Sequence, residues 1–414
     1  MVQYFEFDDE ESEGLEESVA SFLEMFSVLE GENLLLTKDH FTGAAYCECR
    51  IPASEIVEFG TTDVPLDPEN SPEYRANREL ATSHAAFERM KTDATEGRVF
   101  SNLVCEFQKS KSKPLEIIGG QHRYEAITEA LNAGRDHHHG LKVYFNLSNE
   151  QRLDVQVISN TNITVPADLL DRMYATIEGA ELRKWCQEVG LLKKGQDFSD
   201  KNKRDGPITV KEARTLIVNY FRGREVGSEN FESLDTTPTV VETGTRSPKA
   251  WTKVLSDYPD LWDNKDLKRA GKEFSRLTKA QLDHFFDAET EKYTGKADQR
   301  HKAKNMALLS AWAFVAGALE GNAKRLKHHY ALADSAKEPL RSDLLAKGRH
   351  QTDADNYRGL GFRSDPKERG RFAQLFWLQA EKSGGITTKM VDSAIKGYEA
   401  KKAQIEYQKS KAGM

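Results

Sequence analysis

Apolar and polar positions change their period along the 414-residue chain. Near the start, Val19, Phe22, Leu23, Phe26 and Leu29 recur at three- and four-residue steps, as on one face of a helix. Between Tyr46 and Leu147 short β-like runs alternate with helical ones. Residues 47–59 read as a strand with a turn at Pro52, and 85–94 as a helix. Residues 100–107 and 115–118 read as apolar strands, and 141–147 as a half-buried strand with Leu141, Val143 and Phe145 on one face. This alternation predicts an α/β (α+β) domain.

After Asn149 helical periodicity dominates. Thr209 and Glu212 form a capping box, and Val210, Ala213, Leu216, Ile217 and Tyr220 follow on one side, predicting an amphipathic helix over 209–222. Residues 227–247 are rich in Thr, Glu, Gly and Pro and read as a loop or linker. Helix-like stretches follow at 265–288, 302–321 and 370–382, with a polar, lysine-rich helix or tail at 396–411. The longest apolar stretch, 306–319, contains Ser310 and falls short of the roughly 20 residues of a membrane span, so it predicts a buried helix. These shifts divide the chain into an acidic arm at 1–45, the α/β domain at 46–172, a basic helical segment at 173–226, a linker at 227–250 and a larger, mostly α-helical C-terminal region at 251–414.

Composition narrows the picture. Hydrophobic residues make up 38% and charged residues 30%, a balance that suits a solvated globular protein and excludes fibrous and membrane classes. No charged-then-apolar leader opens the sequence, which predicts a cytoplasmic protein. The four cysteines, Cys47, Cys49, Cys105 and Cys186, show no paired CxxC spacing, so neither a disulfide framework nor a zinc module is expected. Cys47 and Cys49 would share one strand face as packing residues. The net charge of −7 leaves any polyanion contact to a local patch. Lys201, Lys203, Arg204, Lys211, Arg214, Arg222 and Arg224 offer one, with a solvated helix face as the alternative. Arg358, Arg363, Lys367, Arg369 and Arg371 offer a second on the same terms. The first 32 residues hold Asp8, Asp9, Glu10, Glu11, Glu13, Glu16 and Glu17 and no Lys or Arg, which predicts a solvated arm of which part docks. His137, His138 and His139, and likewise His328 and His329, read as surface turns.

One segment carries chemistry. Residues 114–127, Pro-Leu-Glu-Ile-Ile-Gly-Gly-Gln-His-Arg-Tyr-Glu-Ala-Ile, run from an apolar strand through Gly119 and Gly120 into a helix with Tyr124, Ile127 and Leu131 on its buried side and Gly134 as its stop. Glycines at a strand-to-helix turn let a ligand approach the backbone, and the first N–H groups of the helix form an anion site suited to phosphate. Gln121, His122 and Arg123 stand at its mouth; an arginine gives two parallel hydrogen bonds to phosphate, and a histidine donates one or moves a proton. On spacing alone, a tight turn whose arginine pairs with a neighbouring carboxylate accounts for the segment equally well.

The run Ile118-Gly119-Gly120-Gln121-His122-Arg123-Tyr124-Glu125-Ala126 resembles the signature of the ParB/sulfiredoxin superfamily, and is especially similar to the "DGQHR" proteins of DNA-modification and DNA-defence clusters, with Gly119 where their aspartate stands. The resemblance covers 46–172 and implies the order strand, helix, strand, turn with its helix, strand. It then places Ile158-Ser159-Asn160-Thr161-Asn162 at the superfamily's Glu-Asn-x-x-Arg metal and phosphate motif. Gln121 occupies the place of the sulfiredoxin cysteine, which excludes sulfinic-acid repair through a thiol. Asn160 is kept, whereas Ser159 and Ile163 replace the motif's glutamate and arginine.

The resemblance thus implies a nucleotide-binding domain. Gly119, Gly120, Gln121, His122, Arg123 and Asn160 would hold ATP or CTP, Asn160 and Ser159 would help place Mg²⁺, and His122 and Arg123 would serve a slow hydrolysis. Implied partners are DNA, a DNA-modifying enzyme and a second copy of the chain, without a membrane. Two other classes compete: a non-catalytic DNA-binding regulator acting through 201–224, and a metal-dependent DNA nuclease.

Overall fold

The computed structural model describes residues 2–31, 33–62, 65–67, 71–75, 85–159, 167–203, 205–347 and 359–412. The chain divides into two units, Met1–Val165 and Pro166–Met414.

In the first unit the elements are β1 (Gln3–Tyr4), α1 (Asp9–Met25), β2 (Leu35–Lys38), β3 (Ala45–Pro52), α2 (Ala53–Phe59), β4 (Gly60–Thr61), β5 (Pro65–Asp67), β6 (Ser71–Arg75), α3 (Ala85–Thr95), β7 (Leu103–Phe107), β8 (Leu115–Gly119), α4 (Gln121–Asn132), β9 (His138–Phe145) and α5 (Asn149–Ser159). Seven strands form one mixed sheet in the order β1-β2-β3-β9-β7-β8-β4. The β1–β2, β7–β9 and β4–β8 pairs are parallel and the rest antiparallel; β5 and β6 pair separately.

Alternation decides which side of the sheet is packed. Cys47, Cys49 and Ile51 of β3, Leu103, Cys105 and Phe107 of β7, and Leu141, Val143 and Phe145 of β9 all point to one buried face, which α1, α2 and α4 cover through Phe22, Phe26, Ile56 and Ile127. All four cysteines are buried and free. The opposite face carries a smaller cluster of Ala44, Ile118, Tyr144, Leu147 and Val155.

Three readings of this unit need correction. The strand expected over 47–59 stops at Pro52, and α2 begins at Ala53. Proline lacks the N–H that a longer strand needs but loses nothing ahead of a helix's first turn. The acidic start docks as expected at Val19, Phe22 and Phe26, but as one whole helix rather than part of an arm: α1, closed by a capping box between Asp8 and Glu11, also buries Leu15. Phe22 meets Phe107 and Phe145 edge-on at 5.4 and 5.7 Å, while the carboxylates line the outer side. His138 and His139 belong to β9 rather than to a turn, and His139 is buried.

The second unit is helical: α6 (Ala167–Glu178), α7 (Glu181–Glu188), α8 (Val210–Asn230), α9 (Lys249–Asp257), α10 (Lys265–Asp283), a small hairpin of β10 (Phe286–Asp287) and β11 (Lys292–Tyr293), then α11 (Ala297–Arg300), α12 (Met306–Ala318), α13 (Ala323–Tyr330), α14 (Ser342–Leu345), α15 (Pro366–Gln379) and α16 (Thr388–Ala412). At its centre every residue of α12 from Ala307 to Ala318 is buried, between α8 and α15. Among the described residues no helix is long and apolar enough to cross a membrane.

The capping box at Thr209 and Glu212 opens α8 as its sequence predicts, and the helix continues past Arg222 to Asn230 with a break at Gly227 (φ 67°, ψ 170°). The stretch expected as a linker lies instead along α8. Phe231 stacks on Trp377 at 3.8 Å, the Thr239 N–H donates to Asn219 Oδ1 (2.8 Å) and the Val241 N–H to Thr215 Oγ1 (3.2 Å). Polar side chains on the helix thus satisfy backbone groups that lack a ladder of their own. His328 and His329 lie in α13, and His329 is fully buried, one ring nitrogen 3.1 Å from the Trp312 carbonyl.

Glu212 is buried at the head of α8, where its Oε2 accepts the Thr209 N–H at 2.7 Å. Its Oε1 has no partner among the described residues, and burial pushes its pKa from the ordinary 4.5 to about 7. The folded protein therefore holds this proton to higher pH than the unfolded chain, so the stability it lends is full below about pH 4.5 and is lost as pH rises through about 7. Glu212→Gln keeps the cap without the titration. Relative to the parent it is expected to gain on the order of 3 kcal/mol between pH 4 and pH 8, read as a shift in denaturation midpoint.

Candidate functional site

The glycine turn joins β8 to α4 at one end of the sheet. Gly119 closes β8, its backbone registered against Val104 of β7. Gly120 then takes left-handed angles (φ 98°, ψ 27°) and caps α4 without a side chain. A Cβ at Gly120 would lie 2.8 Å from Nη2 of Arg123 and 2.9 Å from Cδ2 of Leu103. The room the glycine leaves is thus taken by the protein's own guanidinium, where the sequence suggests an approaching ligand.

Arg123 is half-buried. Its Nη1 donates to the Ser101 carbonyl (2.8 Å), the Ser101 hydroxyl (2.8 Å) and the Asn102 carbonyl (2.6 Å). It thereby pins α4 to the entry of β7. Among the described residues no carboxylate pairs with it, and its Nε and Nη2 have no acceptor. The tight-turn reading expected a carboxylate partner; the structure supplies neutral oxygens. Burial lowers the pKa of Arg123, but an arginine stays charged at any ordinary pH.

The first turn of α4 surrounds that charge with further donors. The Arg123 and Tyr124 N–H groups both go to the Gly120 carbonyl, and the Gln121 N–H has no acceptor among the described residues. The His122 ring stands edge-on to Phe87 of α3, centroids 5.2 Å apart. Tyr124 turns inward and donates to the Gly60 carbonyl at 3.2 Å, so the helix is held at both ends of its first turn. A guanidinium that no described carboxylate neutralises, beside the positive end of a helix, gives a local potential that favours an anion.

The turn brings Gly119, Gly120, Gln121, His122 and Arg123 together. Ser159 is the last residue of α5, and Asn160 lies outside the described residues. Among the described residues no group of three or more His, Cys, Asp or Glu side chains could hold a metal ion.

The basic segment does not form one patch. Arg214 is buried and pairs with Glu178 at 2.7 Å, its guanidinium 5.4 Å from the Trp251 ring centre. Arg222 donates to the Thr237 carbonyl (3.3 Å) and to the Thr239 hydroxyl. These two helix positions hold the irregular stretch and the neighbouring helices, leaving Lys201, Lys203 and Arg224 exposed; Arg204 lies outside the described residues. In the second expected patch, Arg369 donates to the Pro238 and Ser364 carbonyls (both 2.6 Å) and Arg371 pairs with Glu399 (2.9 Å). Arg358 lies outside the described residues.

Sequence reasoning passed over the polar side of the sheet. Glu106 of β7 and Glu116 of β8 are buried directly opposite each other. Arg152 of α5 clamps Glu106 with two bonds, Nε to Oε2 at 2.6 Å and Nη2 to Oε1 at 2.9 Å. Lys111 pairs with Glu116, whose second oxygen has no partner among the described residues and whose pKa burial pushes up. A carboxylate inside each of the apolar runs Leu-Val-Cys-Glu-Phe and Leu-Glu-Ile-Ile was the available signal, since charges are rarely buried without a partner.

Comparison with protein-family models, curated proteins and solved structures returns no match. Function therefore rests on the site itself.

Proposed function

We propose that the unit Met1–Val165, which holds most of the 46–172 stretch that carries the resemblance, contains a ParB/sulfiredoxin-like domain that binds a nucleoside triphosphate, ATP or CTP with its Mg²⁺, at the β8–α4 turn, and that the protein acts with DNA in a DNA-modification or defence setting. The observation that carries this reading is the Arg123 guanidinium, charged, set in the first turn of α4 and bonded among the described residues only to the neutral oxygens of Ser101 and Asn102. The elements β3, α3, β7, β8–turn–α4 and β9 succeed one another in the order the resemblance implies, with α2, β4, β5 and β6 inserted between β3 and α3, and this supports the reading. In this reading the Gln121 N–H and the free edge of Arg123 hold phosphate oxygens, and His122 donates a further hydrogen bond. Magnesium, bound largely through the nucleotide's own oxygens, would supply charge neutralisation. Hydrolysis, where it occurs, draws on Arg123 to offset charge that develops on the phosphoryl group. DNA contact falls to the exposed Lys201, Lys203 and Arg224. The regulator reading, by contrast, loses two of the cations it relied on, Arg214 and Arg222.

The test is titration of the full chain with ATP and CTP in the presence of Mg²⁺. Losing the charged donor in Arg123→Ala is expected to weaken binding about 10- to 100-fold, with Arg123→Lys recovering part of it. Thermal unfolding without ligand separates this from the loss of the Ser101 and Asn102 bonds. Equal affinities for parent and Arg123→Ala would remove the turn from the binding site.

A further inference from the structure

The face of the sheet opposite α1, α2 and α4 holds a second feature near the glycine turn. Tyr46 of β3 and Tyr144 of β9 are directly paired across the strands, with ring centres 5.4 Å apart and planes inclined at 46°. Lys142, two residues before Tyr144 on the same side of β9, lays its ammonium 3.6 Å from the Tyr46 ring centre and 5.1 Å from that of Tyr144.

The environment of Lys142 is unusual for a lysine. It is half-buried, its ammonium makes no hydrogen bond to any described residue, and no carboxylate there lies within ion-pair distance. The acids that face it are Glu48, directly across on β3, and Asp39, engaged by the N–H groups of Phe41 and Thr42 and reached by the Tyr144 hydroxyl at 3.5 Å. Tyr144 is covered by Ile118, Leu147 and Val155. Tyr46 and Lys142 are each partly exposed, so an aromatic ring and an ammonium with no described hydrogen-bond acceptor lie together at the surface of this face.

The strand register relates this pair to the turn. Lys142 is aligned with Val104 of β7, and Val104 with Gly119 of β8, so Lys142 stands two strand spacings, about 10 Å, from the start of the turn. Tyr46 lies on β3, one strand spacing further out, about 15 Å from β8, a span that one extended nucleoside triphosphate can bridge. A base can stack on the part of the Tyr46 ring that the Lys142 ammonium does not cover, and the lysine donors suit the ring and carbonyl acceptors of a base edge or the hydroxyls of a sugar.

We propose that Tyr46 and Lys142 form the nucleoside-binding surface for the ligand whose phosphates dock at Gly119–Arg123. This inference rests on the phosphate reading of the turn and assigns the other end of the same ligand.

The experiment titrates the full chain with inorganic tripolyphosphate, ATP and CTP, each with Mg²⁺. The expected result is tighter binding of the nucleotides than of tripolyphosphate. In Tyr46→Ala the nucleotide affinity should fall about tenfold while tripolyphosphate affinity holds. Tyr46→Phe, which keeps the ring, should bind like the parent, and Lys142→Met should weaken the nucleotides alone. If Tyr46→Ala and Lys142→Met leave nucleotide binding unchanged, or weaken tripolyphosphate equally, the nucleoside assignment fails and the phosphate site stands. If the parent binds neither tripolyphosphate nor nucleotide, both proposals fall.

Discussion

Gly317→Ala is expected to destabilise the helical unit by about 3 kcal/mol or more, with Gly223→Ala close behind. Where α8 and α12 cross, a Cβ at Gly317 would lie 1.9 Å from the Tyr220 carbonyl oxygen, and one at Gly223 would lie 1.9 Å from that of Phe314. Both obstacles are backbone atoms, so no rotamer change relieves them and the helices must move apart. The cost of overpacking, typically 1–3 kcal/mol and occasionally more, sits at its upper end because α12 is held on its other side by α15. All five tryptophans lie in this unit, so the denaturant midpoint of their emission reads it directly. Gly14→Ala, in the tryptophan-free unit Met1–Val165 and followed by far-UV circular dichroism, is the contrast. A Cβ there meets nothing within 4 Å, and removing a glycine from the interior of α1 should add about 0.5–1 kcal/mol.

The second large effect belongs to the sheet unit. Glu106→Gln leaves the Arg152 guanidinium buried opposite a neutral amide, and breaking one side of a buried ion pair costs about 3–5 kcal/mol. Replacing both partners, Glu106→Met with Arg152→Met, is expected to return most of that loss, because the desolvation cost of two charges disappears with them. Far-UV circular dichroism of thermal unfolding measures both variants. A single variant as stable as the parent would show that the clamp, despite its 2.6 and 2.9 Å bonds, contributes nothing net.

The sequence made local structure legible where one signal acted alone. Period-two alternation in Leu141, Val143 and Phe145 located β9, and the capping box located the start of α8. Gly119-Gly120-Gln121-His122-Arg123 announced a strand-to-helix turn, which is present. It failed where distant groups decide. Nothing near Gly120 indicates that Arg123 folds back over it toward Ser101 and Asn102. The glutamates of α1 announced solvent, yet the opposite side of the same helix meets an aromatic cluster assembled from β7 and β9. Arg214 and Arg222 looked like a phosphate-binding stripe because their partners, Glu178 and Thr239, lie 36 and 17 residues away. The pairing of Glu106 with Glu116 needed the register of two strands.

The placement of α1 sets an order of events during synthesis. Asn146 donates through its side chain to the Gly14 carbonyl, a partner 132 residues earlier, and Phe22 meets Phe107 and Phe145 only once both strands exist. Helix α1, made well before β7 and β9, must therefore wait for them, and contacts of such long range slow folding and prolong exposure of apolar surface. Its outward carboxylates keep the waiting helix from self-association, so the same charge that looks like an idle tail guards the nascent chain until its core can close.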